Sequence, residues 1–463
     1  MNPQVHVFAI NGTSIALDVG SSNLFVVDEE AVRALRVLAQ ERGYELDGTS
    51  PGKEHCDGAA YQEVRELVDR GWLFSADHGV EAARMFRGRP WHGPRALCFN
   101  IAHACNMNCA YCFASAGTYR APAIMPLEVA ERAVDFLIEG WPGKRCEIDF
   151  FGGEPLLAWD TMVHTIVYAE ERAARRGKRI RFTCTTNGTL LTEEKLQFFD
   201  DHRVALVVSL DGRPEVHDAL RCLREGGGSY ARALRGAQMV AMRRGGKEGA
   251  NGEYGSMGGY YVRGTYTARN LDFYEDVKHL VQLGLNKVSL EPVVADRKAP
   301  YSIEKRHLPA IAAQYDRLAE FYLERWRSGS PFRYFHFELK LRDGPCLMKR
   351  VAGCGAGVDY MAVAPDGTLW PCHQFDGREG YQLGDVWQGI TRKEVQDAFR
   401  HATPIDKNAC RTCWARYLCG GGCHANAAQF NDSIFQPWEL GCEIQKIRLE
   451  RALYVQTMMK QGK

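Results

Sequence analysis

The sequence predicts an α/β fold made of a small N-terminal module, a central parallel sheet and a C-terminal region rich in cysteine. The central prediction rests on strand and helix patterns that alternate through residues 94–294, as they do in six β/α units that form an open sheet or a partial barrel. Short apolar runs separated by turn residues predict the N-terminal module, and eight of the 16 cysteines lie beyond residue 345. The predicted parts are residues 1–90, 94–300, a helical bridge over 301–343, and 344–463.

Length and composition limit the classes of function. The chain has 463 residues, of which 45% are hydrophobic, and this suggests about three globular domains. Lys and Arg number 58 against 57 Asp and Glu, so a generally basic nucleic-acid-binding protein is not expected. No apolar stretch reaches the ~18 residues that a membrane span needs. The N-terminus lacks a basic segment followed by an apolar one, so we expect a cytoplasmic protein.

Three short strands and two helices are predicted in the N-terminal module. The predicted strands are residues 5–10, 14–19 and 23–27. Asp28 is suited to cap the first helix, and Gly71 is a typical stop for the second. This pattern is typical of a winged-helix-like module. DNA binding is one use of that shape, but Glu63, Glu66 and Asp69 accompany the arginines of the second helix, so no basic recognition face is predicted.

Six strands are predicted in the central sheet, with amphipathic helices such as 127–139 and 192–201 between them. The predicted strands are residues 97–103, 146–151, 180–186, 204–210, 260–267 and 287–293. In such folds the ligand site lies at the carboxyl ends of the strands. The glycine-rich stretch 245–259 is interpreted as a flexible insertion rather than a lid. A long helix is predicted over residues 304–327.

Three cysteines stand within eight residues at the end of the first central strand: Cys105, Cys109 and Cys112. Three thiolates at this spacing can hold a 4Fe–4S cluster, and because such a cluster needs four ligands, one iron stays open to another molecule. A zinc ion is the alternative, with His103 just upstream. Structural zinc normally takes four protein ligands, and no fourth ligand follows at zinc-finger spacing, so the cluster is favoured.

This loop, including Tyr111, resembles the CxxxCxxC signature of radical S-adenosylmethionine (SAM) enzymes. Phe150-Phe-Gly-Gly-Glu-Pro155 follows at the end of the second strand and is similar to the GGEP motif of that superfamily. The resemblance implies that the backbone of Gly152 and Gly153 approaches the cofactor, ahead of Pro155. It also implies that the Glu154 carboxylate accepts hydrogen bonds from the amino group of SAM.

Two later segments and an arginine complete the SAM site that the resemblance implies. The segments around Asn187 and from Ser209 to Asp211 are similar to those that line the ribose and methionine in this superfamily. Ser209 is favoured as the ribose contact. Arg263 on the fifth strand is a candidate for the methionine carboxylate, with a structural ion pair as the alternative. The superfamily's chemistry is reductive cleavage of SAM to a 5′-deoxyadenosyl radical.

The C-terminal cysteines resemble the seven-cysteine SPASM domain, which holds two auxiliary 4Fe–4S clusters. A zinc ribbon is the alternative for the Cys410-x2-Cys413 pair alone, but seven to eight thiols with interleaved gaps fit two clusters better. The resemblance assigns one complete set and one partial set, and the partial set has either an open iron or Cys346 as its fourth ligand. The complete set is Cys410, Cys413, Cys419 and Cys442, and the partial set is Cys354, Cys372 and Cys423.

Further motifs resemble the maturases of six-cysteine (SCIFF) peptides. These motifs are Ala104-Cys105…Cys112-Phe-Ala-Ser115, Tyr260-Tyr-Val-Arg-Gly-Thr265, Cys372-His-Gln-Phe375, Gly384-Asp-Val-Trp387 and Gly420-Gly-Gly-Cys-His-Ala-Asn426. Those enzymes link cysteine sulfur to a carbon of a neighbouring residue in a ribosomally made peptide. The resemblance therefore implies a thioether-forming enzyme with SAM and three 4Fe–4S clusters.

The same resemblance implies the partners. The N-terminal module would bind the leader of a Cys-rich precursor peptide as an added strand on an exposed sheet edge. An electron donor such as flavodoxin or ferredoxin would serve the clusters, and no nucleic-acid or membrane partner is expected. Two other functions stay open: another SPASM maturase, such as a sulfatase activator or an enzyme forming carbon–carbon links, and a non-catalytic electron carrier with several clusters.

Overall fold

The computed structural model describes residues 4–44, 46, 58–245, 259–341 and 346–461. It contains two compact units, each assembled from separate stretches of the chain. The first unit consists of Met1–Arg89, Leu308–Cys354 and Arg400–Lys463, and the second of Pro90–His307 and Gly355–Phe399. The four-part division of the sequence stays a prediction.

The strands and helices are numbered in chain order. The strands are β1 (Val5–Ile10), β2 (Thr13–Asp18), β3 (Leu24–Val27), β4 (Ala96–Ala102), β5 (Met107–Cys109), β6 (Arg145–Gly152), β7 (Arg179–Thr186), β8 (Ala205–Ser209), β9 (Arg221–Leu223), β10 (Tyr260–Tyr266), β11 (Lys287–Pro292), β12 (Arg333–Tyr334), β13 (Tyr360–Val363), β14 (Thr368–Trp370), β15 (Gly384–Asp385) and β16 (Gly389–Ile390). The helices are α1 (Glu29–Glu41), α2 (Ala59–Asp69), α3 (Gly79–Gly88), α4 (Leu127–Gly140), α5 (Trp159–Arg175), α6 (Glu193–Asp201), α7 (Pro214–Leu220), α8 (Tyr230–Arg244), α9 (Phe273–Gln282), α10 (Leu308–Arg327), α11 (Leu347–Ala352), α12 (Lys393–His401), α13 (Asn408–Arg411), α14 (Arg416–Cys419), α15 (His424–Asn431) and α16 (Glu439–Gln461).

The first unit begins with an antiparallel sheet in the order β1–β2–β3. This sheet shares a core with α1 and α2, to which Leu35, Leu38 and Val64 contribute. The Asp28 carboxylate accepts a hydrogen bond of 2.8 Å from the backbone N–H of Ala31, which fixes the start of α1. The three predicted strands and the capped first helix are confirmed, while α3 was not predicted.

Six parallel strands form the centre of the second unit. In chain order, β4, β6, β7, β8, β10 and β11 are successive neighbours, and each matches a predicted strand to within one residue at either end. On the other side of β4, β13 pairs in parallel and β14, β15 and β16 extend the sheet in antiparallel pairs. The predicted α/β fold is confirmed. The sheet continues past β4 instead of closing there, an extension that the sequence analysis did not predict.

The predicted helices agree with the structure except at one start. The helices predicted over 127–139 and 192–201 correspond to α4 and α6, and the Thr192 hydroxyl caps α6 by accepting a hydrogen bond of 3.3 Å from the Lys195 N–H. The helix predicted from residue 304 instead opens with a 3-10 turn over Lys305–His307, and α10 starts at Leu308. Pro309 in the first helical turn explains this start, because proline is tolerated where no N–H partner is needed.

Two further observations complete the fold. The glycine-rich stretch interpreted as an insertion lies outside the described residues, except for its two ends. Within the described ranges, no helix combines the length and the apolar character that a membrane span requires.

Candidate active site

The motifs predicted to bind the cofactor lie at the carboxyl ends of the parallel strands in the second unit. The three-cysteine loop follows β4, and the Gly-Gly-Glu-Pro motif ends β6. The segments at Asn187 and Asp211 follow β7 and β8. Because the carboxyl ends of parallel strands share one edge of a sheet, the four segments are neighbours there.

A short antiparallel pair braces the three-cysteine loop. β5 pairs with β9, which places Cys109 opposite Arg221. The Arg224 guanidinium then donates hydrogen bonds to the backbone carbonyls of Cys105 (3.0 Å) and Ala116 (3.1 Å). The loop is therefore held by residues 221–224, which the sequence analysis did not assign to the site.

The three thiols of the loop lie close enough to influence one another. Burial, with smaller contributions from Glu154, Cys109 and Cys112, raises the pKa of Cys105 to about 12. Burial also raises the pKa of Cys109, and the charge of Arg221 opposes that rise. Such thiols are protonated until a metal centre replaces their protons, so their grouping fits a cluster bound through thiolates.

The spacing of the side chains distinguishes a cluster site from a site for a single metal ion. Among the described residues, no group of three or more His, Cys, Asp or Glu side chains is compact enough to hold one ion. A 4Fe–4S cluster holds its thiolates further apart, because each thiolate binds a different iron.

The glycines of the Gly-Gly-Glu-Pro motif let its backbone pack directly against the cysteine loop. The backbone N–H groups of Gly153 and Glu154 donate hydrogen bonds to the carbonyls of Ala102 (2.7 Å) and Ala104 (2.8 Å). A Cβ atom on Gly153 would lie 2.2 Å from the Ala104 carbonyl oxygen. A larger residue at this position would therefore displace the loop that carries Cys105.

The fully buried Glu154 carboxylate joins the ends of β6 and β7. Its Oε1 accepts hydrogen bonds from the Leu156 N–H (3.1 Å) and the Thr186 hydroxyl (2.7 Å), and Oε2 accepts one from the Asn187 N–H (2.7 Å). Burial raises the pKa of Glu154, and these donors oppose the rise. A carboxylate has about four acceptor positions, so one position on Oε2 is left for the amino group that the sequence analysis assigns to it. Pro155, which follows, begins a buried 3-10 turn.

The Asn187 side chain, predicted to contact SAM, forms hydrogen bonds within the chain itself. Its Oδ1 accepts hydrogen bonds from the backbone N–H (3.0 Å) and the hydroxyl (2.7 Å) of Thr189. Its Nδ2 donates to Asn106 Oδ1 (2.8 Å), and Asn106 donates to the Thr189 hydroxyl (2.8 Å). These three side chains join the cysteine loop to the end of β7. Asn187 therefore positions the loop, and its contact with SAM stays a prediction.

A buried arginine connects the predicted residues Tyr111 and Asp211. Arg221 Nη1 donates a hydrogen bond to the Tyr111 hydroxyl (2.9 Å) and lies 3.9 Å from Asp211 Oδ1. The Tyr111 hydroxyl donates to Asp211 Oδ2. The charge of Arg221 is thus balanced by Asp211 beside Cys109. The buried Arg221 Nε–H has no acceptor in the described part of the chain, and the sulfur of a bound cluster has the chemistry to supply one.

His217 supports this arginine, and the sequence analysis missed it. Its Nδ1 accepts a hydrogen bond from the Asp211 N–H (3.3 Å), and its Nε2 donates to the Ser229 hydroxyl (2.8 Å), which donates to the Arg221 carbonyl (2.6 Å). This pattern requires a neutral imidazole, and burial lowers the pKa of His217 to about 2. No sequence signal marks this histidine, because a histidine four residues before an arginine is an ordinary helical spacing.

Ser209 and Arg263 are the predicted contacts that face each other across neighbouring strands. They are register partners in the parallel pair of β8 and β10. Ser209 is partly buried and Arg263 is exposed, and neither side chain has a hydrogen-bond or ion-pair partner within the ranges described above. A hydroxyl and a guanidinium in these positions can bind a ribose hydroxyl and a carboxylate.

The predicted complete set of C-terminal cysteines lies within the first unit. Burial, with contributions from other members of the set, raises the pKa of Cys410 to about 12 and that of Cys442 to about 11. Burial also raises the pKa of Cys419, and the backbone N–H groups of Gly422 and Gly421 oppose that rise. N–H groups near a sulfur stabilise a cluster thiolate, so the residues fit the predicted cofactor. The set is Cys410, Cys413, Cys419 and Cys442.

The predicted partial set is divided between the two units. Cys354 and Cys423 belong to the first unit, where the backbones of Gly353 and Gly420 approach so closely that a Cβ atom on Gly353 would lie 2.8 Å from the Gly420 oxygen. Cys372 belongs to the second unit. Joint ligation by these three cysteines therefore stays a prediction, as does the role of Cys346, which is exposed just before α11.

Family models match two parts of this chain. The radical SAM superfamily model matches residues 99–247, and the SPASM iron–sulfur cluster-binding domain model matches residues 354–414. The chain contains a radical SAM domain and, after it, a SPASM domain.

Relatives of this radical SAM/SPASM protein include enzymes with assigned activities. The serine-type anaerobic sulfatase-maturating enzyme of Bacteroides thetaiotaomicron is 24% identical over 70% of this chain and 81% of its own length. The cysteine-type enzyme of Clostridium perfringens is 24% identical over 72% and 89%. The radical SAM cyclopropyl synthase TigE of Paramaledivibacter caminithermalis is 20% identical over 92% and 89%.

Solved structures share the fold. The structure of anSMEcpe with bound AdoMet superposes with a TM-score of 0.65 at 21% identity, covering 80% of this chain and 100% of that one. Streptococcus suis SuiB bound to S-adenosylmethionine gives a TM-score of 0.51 at 16% identity, covering 95% and 99%. These similarities confirm the α/β radical SAM fold.

Proposed function

We propose that this radical SAM/SPASM protein installs cysteine-to-carbon thioether cross-links in a ribosomally made, Cys-rich precursor peptide. The observation that carries the peptide-modifying part of the proposal is how much of the chain each relative spans, and the thioether part rests on the resemblance to the six-cysteine peptide maturases. By sequence, the sulfatase-maturating relatives match 70% and 72% of the chain and TigE matches 92%; by structure, anSMEcpe covers 80% of the chain and SuiB covers 95%. A match over 95% of the chain has to include most of residues 1–90. SuiB was also solved with its precursor peptide SuiA bound.

The N-terminal sheet offers a place for the leader of that peptide. The sheet consists of β1, β2 and β3 in that order, so within the described residues β1 and β3 each have one edge without a neighbouring strand. An extended peptide can add to such an edge through backbone hydrogen bonds, with pockets for alternate side chains. Val26 on β3 is 45% exposed, which leaves an apolar surface beside that edge.

The residues of the second unit then have distinct tasks. Cys105, Cys109 and Cys112 hold a cluster, while Gly153 and Arg221 fix the loop that carries them. Three groups are proposed to bind SAM. The remaining acceptor position of Glu154 binds its amino group, the Ser209 hydroxyl binds its ribose, and the Arg263 guanidinium binds its carboxylate. When bound, the cluster and SAM supply a 5′-deoxyadenosyl radical that abstracts hydrogen from the peptide.

The C-terminal residues hold two further 4Fe–4S clusters in this proposal, which makes three in all. Four cysteines of the first unit hold one cluster, and Cys354, Cys372 and Cys423 hold the other, with Cys346 as the candidate fourth ligand. Two observations support the first of these: the grouping of the thiols, and the N–H groups of Gly421 and Gly422, which favour the thiolate form of Cys419. An electron donor of the flavodoxin or ferredoxin class is proposed to reduce the enzyme.

The balance of the reaction defines its test. Each link breaks one S–H and one C–H bond and forms one S–C bond. One hydrogen atom goes to the 5′-deoxyadenosyl radical, and the other leaves as a proton with one electron, which passes to a one-electron carrier of the flavodoxin or ferredoxin class. The peptide therefore loses two hydrogens and one free thiol per link.

Mass spectrometry after thiol alkylation measures both losses. We expect a six-cysteine peptide with its leader, incubated anaerobically with the reconstituted enzyme and SAM, to lose hydrogen pairs and alkylation sites in equal number. The same peptide without its leader is the control, and we expect about tenfold less product because the leader raises its effective concentration at the active site. Loss of hydrogen with all thiols still alkylated would contradict thioether formation and indicate carbon–carbon links.

Sulfatase maturation is the second candidate, because two of the relatives carry that activity at 24% identity. The same assay distinguishes it when a sulfatase-derived peptide with one cysteine or serine is offered. Modification of that peptide in preference to the six-cysteine peptide would favour this candidate over thioether formation.

A further inference from the structure

Lys407 is a buried lysine in the cysteine-rich part of the first unit. The residue is only 1% exposed, and its Nζ donates hydrogen bonds to the Gly421 carbonyl (2.8 Å) and to His424 Nδ1 (3.1 Å). Burial and the charge of Lys407 lower the pKa of His424 to about 3, so the imidazole is a neutral acceptor. In the described part of the chain, no carboxylate lies within ion-pair distance of Lys407 Nζ. An ammonium buried without an anionic partner is costly.

The groups that can supply negative charge to Lys407 are cysteines. The charges that favour its ammonium form are those of the Cys410, Cys419, Cys354 and Cys423 thiolates. The first two belong to the predicted complete set and the last two to the partial set. Thiols are neutral until they bind metal, and as cluster ligands they carry negative charge.

The hydrogen bonds of Lys407 place it at the segment from Cys419 to Cys423, which joins one member of each set. Gly421 lies in the short loop that joins Cys419 to Cys423, and His424 directly follows Cys423. The Cys410 N–H in turn donates a hydrogen bond of 3.0 Å to the Lys407 carbonyl. The residue is therefore fixed at its backbone by Cys410 and at its ammonium by two residues that flank Cys423.

A second lysine in this region provides a contrast. Lys446 also lies near Cys413 and Cys442, but its Nζ is 2.9 Å from the Glu443 carboxylate and its side chain is 34% exposed. Its charge is already balanced and partly screened by water. The two lysines thus differ in exposure and in anionic partner while both lie beside cysteines of the complete set.

We propose that Lys407 is the shared counter-charge of the two auxiliary clusters and that its ammonium raises the reduction potential of both. The inference rests on the two auxiliary clusters of the proposed function and not on thioether formation. A buried positive charge favours the reduced form of a cluster, which carries one more negative charge. Lys407 is a positioning residue, since it acts on the clusters through charge.

Redox titration monitored by electron paramagnetic resonance tests this proposal. The full chain with Cys105→Ala, Cys109→Ala and Cys112→Ala, reconstituted anaerobically, retains the auxiliary clusters alone. We expect Lys407→Met in this background to shift both midpoint potentials to more negative values. The ratio of reduced to oxidised cluster at a fixed potential should fall about tenfold, which is 59 mV for a one-electron couple.

The matched control is Lys446→Met combined with Glu443→Gln, which removes a balanced pair without changing net charge. We expect it to leave the ratio within about twofold of the parent, because the pair is exposed and already neutral overall. Unchanged potentials in Lys407→Met at full iron content would overturn the proposal, as would equal shifts in the control.

If Lys407→Met loses its clusters, Lys407→Arg decides whether the charge or the packing of Lys407 is responsible. If the arginine variant keeps its clusters at the parent potentials, the charge is required. If both variants lose their clusters, Lys407 has a packing role and the proposal is overturned.

Iron analysis separates this inference from the proposed function. About eight irons in the triple-alanine background, with no cross-linked peptide from the wild type, would refute only the thioether reaction. About four irons would refute a charge shared by two clusters.

Discussion

Arg221 and Lys407 are buried cations in the two cysteine-bearing regions, but among the described residues only Arg221 has an anionic partner. At the three-cysteine loop, Arg221 lies 3.9 Å from Asp211 and donates a hydrogen bond to Tyr111. In the C-terminal region, Lys407 donates hydrogen bonds to a carbonyl and an imidazole. The loop is therefore balanced before any cofactor binds, whereas the surroundings of Lys407 are balanced only when cysteines carry negative charge.

This difference agrees with the tasks proposed for the two regions. SAM has to bind and leave in every catalytic cycle, so the residues around it need a geometry that does not depend on the ligand. Auxiliary clusters stay bound, so their negative charge can be part of the folded structure. Three substitutions test the comparison, and they follow in order of decreasing expected effect.

Gly153→Ala tests whether the three-cysteine loop has a fixed geometry. Its Cβ would lie 2.2 Å from the Ala104 carbonyl oxygen, so the loop has to move. A displacement of about 1 Å near a reacting centre lowers rates about a hundredfold, and we expect that decrease in 5′-deoxyadenosine formation. Gly88→Ala is the control, because its Cβ meets nothing within 4 Å. A wild-type rate in Gly153→Ala would show that the loop adapts.

Arg221→Met tests the balanced pair. The substitution leaves Asp211 buried without its cation, and breaking such a pair costs about 3 kcal/mol. We expect the free energy of unfolding of the cluster-free protein in urea to fall by that amount. Hydrogen exchange in β6, β7 and β8 monitors the unfolding. Adding Asp211→Asn should restore more than half of the loss, because it removes the uncompensated charge. If the double variant is as unstable as Arg221→Met, Arg221 acts through packing.

Lys407→Met in the cluster-free protein should change stability in the opposite direction. Without clusters, burial lowers the pKa of Lys407, and its charge has no anionic partner among the described residues, so removing it stabilises the first unit by about 1 kcal/mol. Hydrogen exchange of residues 407–424 measures this change. In the cluster-loaded protein the same substitution should reduce protection. If Lys407→Met instead destabilised the cluster-free protein as much as is expected for Arg221→Met, the two cations would not differ.

Much of the fold could be predicted because its signals are local. The six parallel strands carry apolar runs, and the caps at Asp28 and Thr192 precede helical patterns. β13 could not be predicted, since it is four residues long and its partner β4 lies far back in the chain. Only the tertiary structure brings these two strands together.

The residues of the site also fall into two groups, those that the sequence reveals and those that it does not. The cluster cysteines and the Gly-Gly-Glu-Pro motif have fixed spacings that a sequence displays. Arg221, His217 and Lys407 have ordinary sequence surroundings, and their importance comes from burial. The pairing of β5 with β9 places Arg221 beside Cys109, and packing around the Cys419–Cys423 loop excludes water from Lys407. A charged residue in a sequence is most often solvated, so burial of these three could not be inferred.

The most direct test of the account is anaerobic formation of 5′-deoxyadenosine from SAM by the reduced, reconstituted protein. The wild type should form it, and the variant with Cys105, Cys109 and Cys112 changed to Ala should form none while it keeps its C-terminal iron. Formation by both proteins would contradict the assignment of the radical chemistry to this loop. Formation by neither, with all clusters intact and a Cys-rich peptide present, would contradict the enzyme assignment and favour an electron carrier.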